Sequence, residues 1–338
     1  MNNKGVSIII CCYNSELLLE QTLNHLAIQN MDIDLACEII VVDNASTDNT
    51  QEKARASWLK NATDKIKLSI VYEPKPGLAY ARQRGIIEAA FEYLVFCDDD
   101  NWLDKDYINN VCNLFNSMPE IAVLGGTSTA QFEDETLIPA WFDKFYHSYA
   151  IGPQAEKACM VNSVYGAGMA VRKSVLTEVM NKNPMFLYGR KQNKLTSGED
   201  SEICYRILLE GYKIFYSPQL MFKHFLATKR LNWEYLKRLH VGLAQSNVVL
   251  TLYEKALNSN HPDLSFFYWL KKALYYWGVY FKYWPKHYLA YKNGEGTIEE
   301  IHHLTWKNIA IGYLKYNFET IGIYRKIFLL KNHIQRSN

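Results

Sequence analysis

Three consecutive aspartates, Asp98-Asp99-Asp100, follow the apolar run Tyr93 to Cys97. Carboxylates that close repel one another unless a cation joins them, and oxygen-only ligands suit Mg2+ or Mn2+ better than Zn2+. On an extended stretch alternate side chains share a face, so Asp98 and Asp100 can share a face while Asp99 points elsewhere. The triplet also reads as an acidic turn with Asp98 or Asn101 as a helix cap. Asp43 ends a second apolar run, Glu38 to Asp43. There it can accept a hydrogen bond from a base or ribose, or simply open the turn Asn44 to Thr50. Glu199-Asp200 stands where a helix is predicted to start. The helix dipole favours anions at that end, and a carboxylate facing a pocket can act as a general base; capping is its other use. His224, between Lys223 and Phe225, reads alone as a satisfied or surface histidine.

The elements around these residues predict how they are placed. Val6 to Cys12 and Glu38 to Asp43 are continuous β-branched, apolar runs, as strands covered on both faces should be. Ile66 to Tyr72 and Tyr93 to Cys97 give two more strands. Helices are predicted between them: one capped by Asn14-Ser15 with Leu18, Leu19, Leu23 and Leu26 on one face, one through Trp58, and one over Leu78 to Ala90. Alternating strands and helices imply an α/β fold with a parallel, doubly wound sheet, whose ligands sit beyond the carboxyl ends of the strands. Asp43 and the triplet both fall at that edge. Further on, a helix over Lys105 to Asn116, a strand over Ile121 to Gly125, a Gly-rich turn at Tyr165 to Gly168 and a helix over Lys173 to Met180 are expected. A helix over Glu202 to Leu209 opened by Asp200 and closed by Gly211, and a strand over Lys213 to Tyr216, complete this part. Beyond Leu226 the pattern is helical, over Trp233 to Tyr253, Leu264 to Phe281 and Ile298 to Tyr316.

Composition narrows the class. With 338 residues, 49% of them hydrophobic, the chain can bury a full core, and disorder, collagen and small disulfide scaffolds are excluded. A net charge of +2 does not indicate nucleic acid as a partner, but the charge is unevenly placed. Residues 226–338 carry 16 Lys/Arg against 7 Asp/Glu, and Phe266 to Tyr291 holds 13 aromatics in 26 positions. Seven scattered cysteines suit reduced thiols in a cytoplasmic protein rather than a disulfide framework or metal site. Neither a signal peptide nor a membrane span is expected.

Taken together the segments resemble a known family. Ile8 to Asn14, Glu38 to Asp48, Pro76 to Arg82, Phe96 to Asn101, and then Gly198-Glu199-Asp200-Ser201-Glu202 with Arg206 and Gly211-Tyr212, are similar to the family 2 glycosyltransferases in order over residues 5–242. The resemblance implies a GT-A fold: a doubly wound mixed sheet in which residues 1–110 form a Rossmann-like nucleotide-sugar half and 111–225 an acceptor half. A basic, aromatic-rich helical extension, 226–338, follows. It implies that Asp43 holds the nucleotide base with Tyr13 and Asn14 against it, and that Arg82, Asp99 and Arg230 also serve the nucleotide sugar. Asp98, Asp100 and His224 would hold Mn2+ or Mg2+, Asp200 would be the base, and Glu199 would face the acceptor. Ala81-Arg82-Gln83-Arg84 departs from the family's usual Ala-Arg-Asn, which leaves Gln83 without a role.

The implied reaction is inverting transfer from a nucleotide diphosphate sugar, usually a UDP sugar, to a glycan or lipid-linked acceptor in surface polysaccharide or glycoconjugate synthesis. A sugar nucleotidyltransferase and a catalytically inactive sugar-binding protein are the rival readings. The first lacks its Gly-rich loop, since the loop after strand one reads Cys11-Cys12-Tyr13-Asn14-Ser15-Glu16. The Gln-x-x-Arg-Trp segment and the spans of processive synthases are also not found. Lys271, Lys272, Lys282 and Lys286 among Trp269, Trp277 and Trp284 suggest a helix resting peripherally on the anionic inner face of a membrane. The alternatives there are an ordinary helical core or a homodimer contact.

Overall fold

The computed structural model describes residues 5–32, 34–61, 65–182, 184–187, 197–261, 266–292, 297–315 and 317–332. Strands β1 (Gly5–Cys12), β2 (Ala36–Asp43), β3 (Ile66–Tyr72) and β4 (Tyr93–Phe96) pair in parallel in the order β3-β2-β1-β4. Helices α1 (Leu19–Ala27), α2 (Thr50–Asn61) and α3 (Leu78–Glu88) connect them. The unbroken apolar run of β1 has its cause in two covered faces. Ile8 and Ile10 join Ile39, Val41 and the α1 leucines Leu19, Leu23 and Leu26 on one side, while Ile9 joins Ile40, Val42 and Ala81 on the other. Each such side chain contributes roughly 1.5–3 kcal/mol by leaving water.

Past β4 the sheet becomes mixed. β5 (Asn101–Leu103), α4 (Tyr107–Ser117) and β6 (Ile121–Phe132) are followed by short 3-10 turns between Glu135 and Tyr149. Next come β7 (Cys159–Val161), β8 (Ala170–Arg172), α5 (Lys173–Lys182), α6 (Glu199–Leu209) and β9 (Lys213–Leu226). β8 lies antiparallel between β4 and β6, while β9 runs parallel to β6 and antiparallel to β5 and β7, giving nine strands in one sheet.

Two strands run longer than their sequences suggest. β6 passes through Gly125-Gly126 to Phe132, because β9 approaches there: a Cβ on Gly126 would lie 1.9 Å from the Leu220 carbonyl oxygen. β9 passes Pro218 to Leu226, absorbing it at a register shift against β6 between Gly125 and Thr127. His224 is therefore a strand residue opposite Asn101. The Asn14-Ser15 cap does not form; Asn14 takes a left-handed φ of 55° and α1 starts at Leu19, after Leu18. α6 does close as expected, on Gly211 at φ 85°.

The C-terminal helices are α7 (Trp233–Asn258), α8 (Phe266–Lys292), α9 (Ile298–Lys315) and α10 (Asn317–Asn332). They share a core with α6, in which Tyr205 and Leu209 meet Leu252 and Tyr253 of α7, Trp269 of α8, Tyr313 of α9 and Phe328 of α10. The irregular aromatic segment is likewise packing material: Phe142, Phe145 and Tyr149 lie against Leu236 and Leu239. All seven cysteines are free, and burial pushes the Cys11 thiol up to about 12.

Candidate active site

Three strand ends and one helix start meet at the carboxyl edge of the sheet. At β1, Ser15 is fully buried and its hydroxyl donates to the Asp99 carboxylate. Asn14 ties this loop to the next, taking the Thr47 N–H on Oδ1 at 2.8 Å while its own N–H reaches Ser46 Oγ at 3.0 Å. Tyr13 stands outward, 60% exposed.

At β2, Asp43 is buried with both oxygens engaged, Oδ1 by the Ser46 N–H at 3.0 Å and Oδ2 by Gln51 Nε2 at 2.6 Å. Its neighbour Asn44 holds the loop before α3, donating to the Glu73 and Lys75 carbonyls and accepting the Gly77 N–H at 2.7 Å. Gly77 has a φ of 137°, which only glycine adopts without strain. Asn44 had no role in the sequence reading; its place directly after a strand-end aspartate was the available signal.

After β4 the triplet is not extended but turns, closed by the Asn101 N–H on the Asp98 carbonyl at 3.0 Å, and it is this turn that parts Asp99 from Asp100. Asp99 turns to Ser15, and desolvation together with the charges of Asp100 and Asp98 pushes its carboxyl up to about 7. Asp100 is buried and turns the other way. Its Oδ2 accepts from Arg230 Nη1 at 2.7 Å and its Oδ1 lies 3.5 Å from His224 Nε2, while Asn101 Nδ2 donates to Oδ1 at 3.2 Å. His224 is buried because β9 pairs with β5, and its Nδ1 finds no hydrogen-bond partner in the structure. Arg230 is held in turn by Tyr235, whose hydroxyl accepts from Nε at 3.2 Å.

α6 completes the site. Arg82 of α3 is buried with its guanidinium 3.4 Å from Glu199. Burial opposes that charge, but Glu199, Asp98 and Asp200 together hold it above its ordinary value. Glu199 thus turns to Arg82 rather than to solvent. Asp200 is only half-buried, and two backbone N–H groups orient it: Gly166 at 2.7 Å to Oδ2 and Ser201 at 2.7 Å to Oδ1. A Cβ on Gly166 would stand 2.9 Å from Arg82 Nη2 and 3.1 Å from Asp200 Oδ2, so the Gly-rich turn is part of the site.

The structure therefore gathers Asp98, Asp99, Asp100, His224, Arg230, Arg82, Glu199 and Asp200 at one edge, with Asp43, Asn14 and Tyr13 on the neighbouring loops. Among the described residues no three His, Cys, Asp or Glu side chains converge as a metal cluster, because Asp100 meets His224 as a pair and gives its other oxygen to Arg230.

Comparison with known proteins places this architecture. EpsH of Bacillus subtilis is 27% identical over 134 residues, 40% of this chain and 36% of its own length. The poly-beta-1,6-N-acetyl-D-glucosamine synthase of Staphylococcus aureus strain COL is 24% identical over 221 residues, 64% of this chain and 49% of its own. The chain thus spans half or less of these curated relatives. S. aureus TarS 1-349 in complex with UDP-GlcNAc superposes with a TM-score of 0.50 at 15% identity, covering 99% of this chain and 92% of that one. GalNAc-T7 with UDP, GalNAc and Mn2+ gives 0.51 at 14% identity, covering 75% and 51%. At such identities these are likenesses of fold, and that fold is GT-A. The glycosyl transferase family 2 model matches residues 7–180, which includes the β4 aspartates and stops before α6, and the chain belongs to that family.

Proposed function

We propose that this chain transfers a sugar from a UDP sugar to a hydroxyl of a glycan or lipid-linked acceptor in the synthesis of surface polysaccharide or a related glycoconjugate. The observation that carries the reading is the junction of β4 with α6. Arg82 lies among Glu199, Asp98 and Asp200, which brings the carboxylates of two distant segments to one charged site. The UDP-GlcNAc in the TarS structure supports a uridine donor.

Asp200 is both fixed by backbone N–H groups and left partly open, which suits a base that takes the acceptor's proton. With one such base and, among the described residues, no second carboxylate placed as a nucleophile, direct displacement with inversion is the expected course. Asp43 and Asn14 shape the nucleotide side, and Glu199 acts with Arg82 to hold Asp200's surroundings.

The donor set at β4 fits a divalent cation: three consecutive carboxylates, of which Asp99 is raised by burial and by the charges of Asp100 and Asp98, and a buried imidazole 3.5 Å from Asp100. Mn2+ or Mg2+ held by Asp98, Asp100 and His224 would supply charge stabilisation for the departing diphosphate. Arg230 bonds Asp100 Oδ2 while His224 faces Oδ1, so the guanidinium and a cation would share one carboxylate, and Arg230 would also be available to the departing diphosphate.

A thermal-shift panel of UDP, dTDP and GDP sugars with Mn2+ tests the donor assignment, because a bound ligand stabilises by its occupancy, about 2.7 kcal/mol at a hundred times Kd. A UDP sugar is expected to raise Tm and to be turned over. Stabilisation without turnover would leave a binding protein, and a response confined to dTDP or GDP sugars would overturn the uridine assignment.

A further inference from the structure

α8 inverts the usual arrangement of a surface helix. Its inner side, Trp269 and Ala273, lies in the core shared with α6, α7, α9 and α10. Its outer side carries Phe267, Leu274, Phe281 and Tyr288, exposed by 78%, 63%, 62% and 49%. Residues seven apart fall almost in line on a helix, so these four form one stripe along its length. Trp284 and Leu289 widen it near the end, where every side chain described from 281 to 289 is exposed. The charge on α8 has one sign. Lys271, Lys272, Lys282, Lys286 and Lys292 lie on it, with no acidic residue.

We propose that this stripe lies flat on an anionic phospholipid surface, with its aromatic rings at the headgroup boundary and its lysines on the phosphates. Exposed apolar rings with lysine beside them, Lys271 about 40° and Lys282 about 100° round the helix from the stripe, are the composition of an interfacial helix. Two features oppose a second copy as the occupant. A paired α8 would face lysine with lysine and offer no acid to match, and Pro285 lies inside the helix in the stripe's second half, where it removes a backbone hydrogen bond from a regular coiled-coil seam. Among the described residues no helix is long and apolar enough to cross a membrane, so the contact is in plane. This inference does not depend on the proposed reaction.

Flotation of the full chain with vesicles tests it, using phosphatidylcholine alone and phosphatidylcholine containing about one phosphatidylglycerol in three. The native chain should float with the anionic vesicles and much less with the neutral ones. A Phe267→Ser, Leu274→Ser, Phe281→Ser variant and a Lys271→Gln, Lys282→Gln variant should both lose binding, the second on the order of thirtyfold from two lysines. Light scattering and circular dichroism on the same samples report association and fold. Absence of flotation with either vesicle, equal flotation of native chain and serine variant, or a native dimer that the serine variant dissolves without any vesicle binding would each overturn the proposal.

Discussion

α6 and α8 lie against the same core and break opposite rules. α6 buries charge: Glu202 and Arg206 are 0% and 1% exposed and pair at 3.2 Å. α8 exposes apolar rings and keeps only cations around them. Burying an ion pair costs several kcal/mol of desolvation per ion and is tolerated only when hydrogen bonds satisfy the remaining atoms. Here the N–H groups of Phe186 and Leu187 and the Tyr253 hydroxyl serve Glu202, while Arg206 donates to Tyr253 and to the Pro184 carbonyl at 2.5 Å. Burial still pushes the Glu202 carboxyl above its ordinary range. The difference teaches what each helix is placed for. Charge is locked inside where Asp200 must be held still, and apolar surface is left outside where another surface is to be met.

The largest effect should come from breaking the buried pair. Arg206→Met leaves Glu202 charged and unpaired, and urea denaturation should show a loss of about 3–5 kcal/mol. An Arg206→Met, Glu202→Leu double variant should lose less than the two single changes summed. A loss under 1 kcal/mol for Arg206→Met would remove the contrast between the helices.

Gly166→Ala forces Arg82 or Asp200 to move by a fraction of an ångström. Turnover should fall by about a hundredfold with little change in Tm, since a small misplacement near the reacting groups costs that much. Arg230→Ala should tighten Mn2+ binding in the absence of donor by about tenfold, or about 1.4 kcal/mol, read by calorimetry. Unchanged or weaker Mn2+ binding would mean that Arg230 and the ion do not compete for Asp100. The smallest effect belongs to α8: Phe281→Ser should change stability by no more than about 0.5 kcal/mol, and a loss above 2 would make the stripe packing rather than surface.

Much of the acidic half is legible in the sequence because its signals are local. The apolar runs of β1 to β4 need no partner to be recognised, and those of β2 and β4 end where a carboxylate breaks the run. Asp43 and Asp98 to Asp100 follow from that alone. His224 does not, since its burial is created by β9 running past Pro218 to pair with β5, an event between segments 120 residues apart in the chain. β5, β7 and β8 have three residues each, too few to show a period. The hold of Arg82 on Glu199 is likewise invisible until α3 and α6 are placed together. α10 does not stand out from the general helical pattern of the tail, which has apolar residues on most sides.

The central claim is that the edge where β4 meets α6 transfers sugar, and Asp200→Asn tests it most directly because the change preserves shape and removes the base. UDP release from the stabilising donor, measured beside UDP affinity, should fall by roughly a hundredfold to ten-thousandfold while affinity stays unchanged. Native turnover in that variant, or loss of UDP binding in step with activity, would contradict the account.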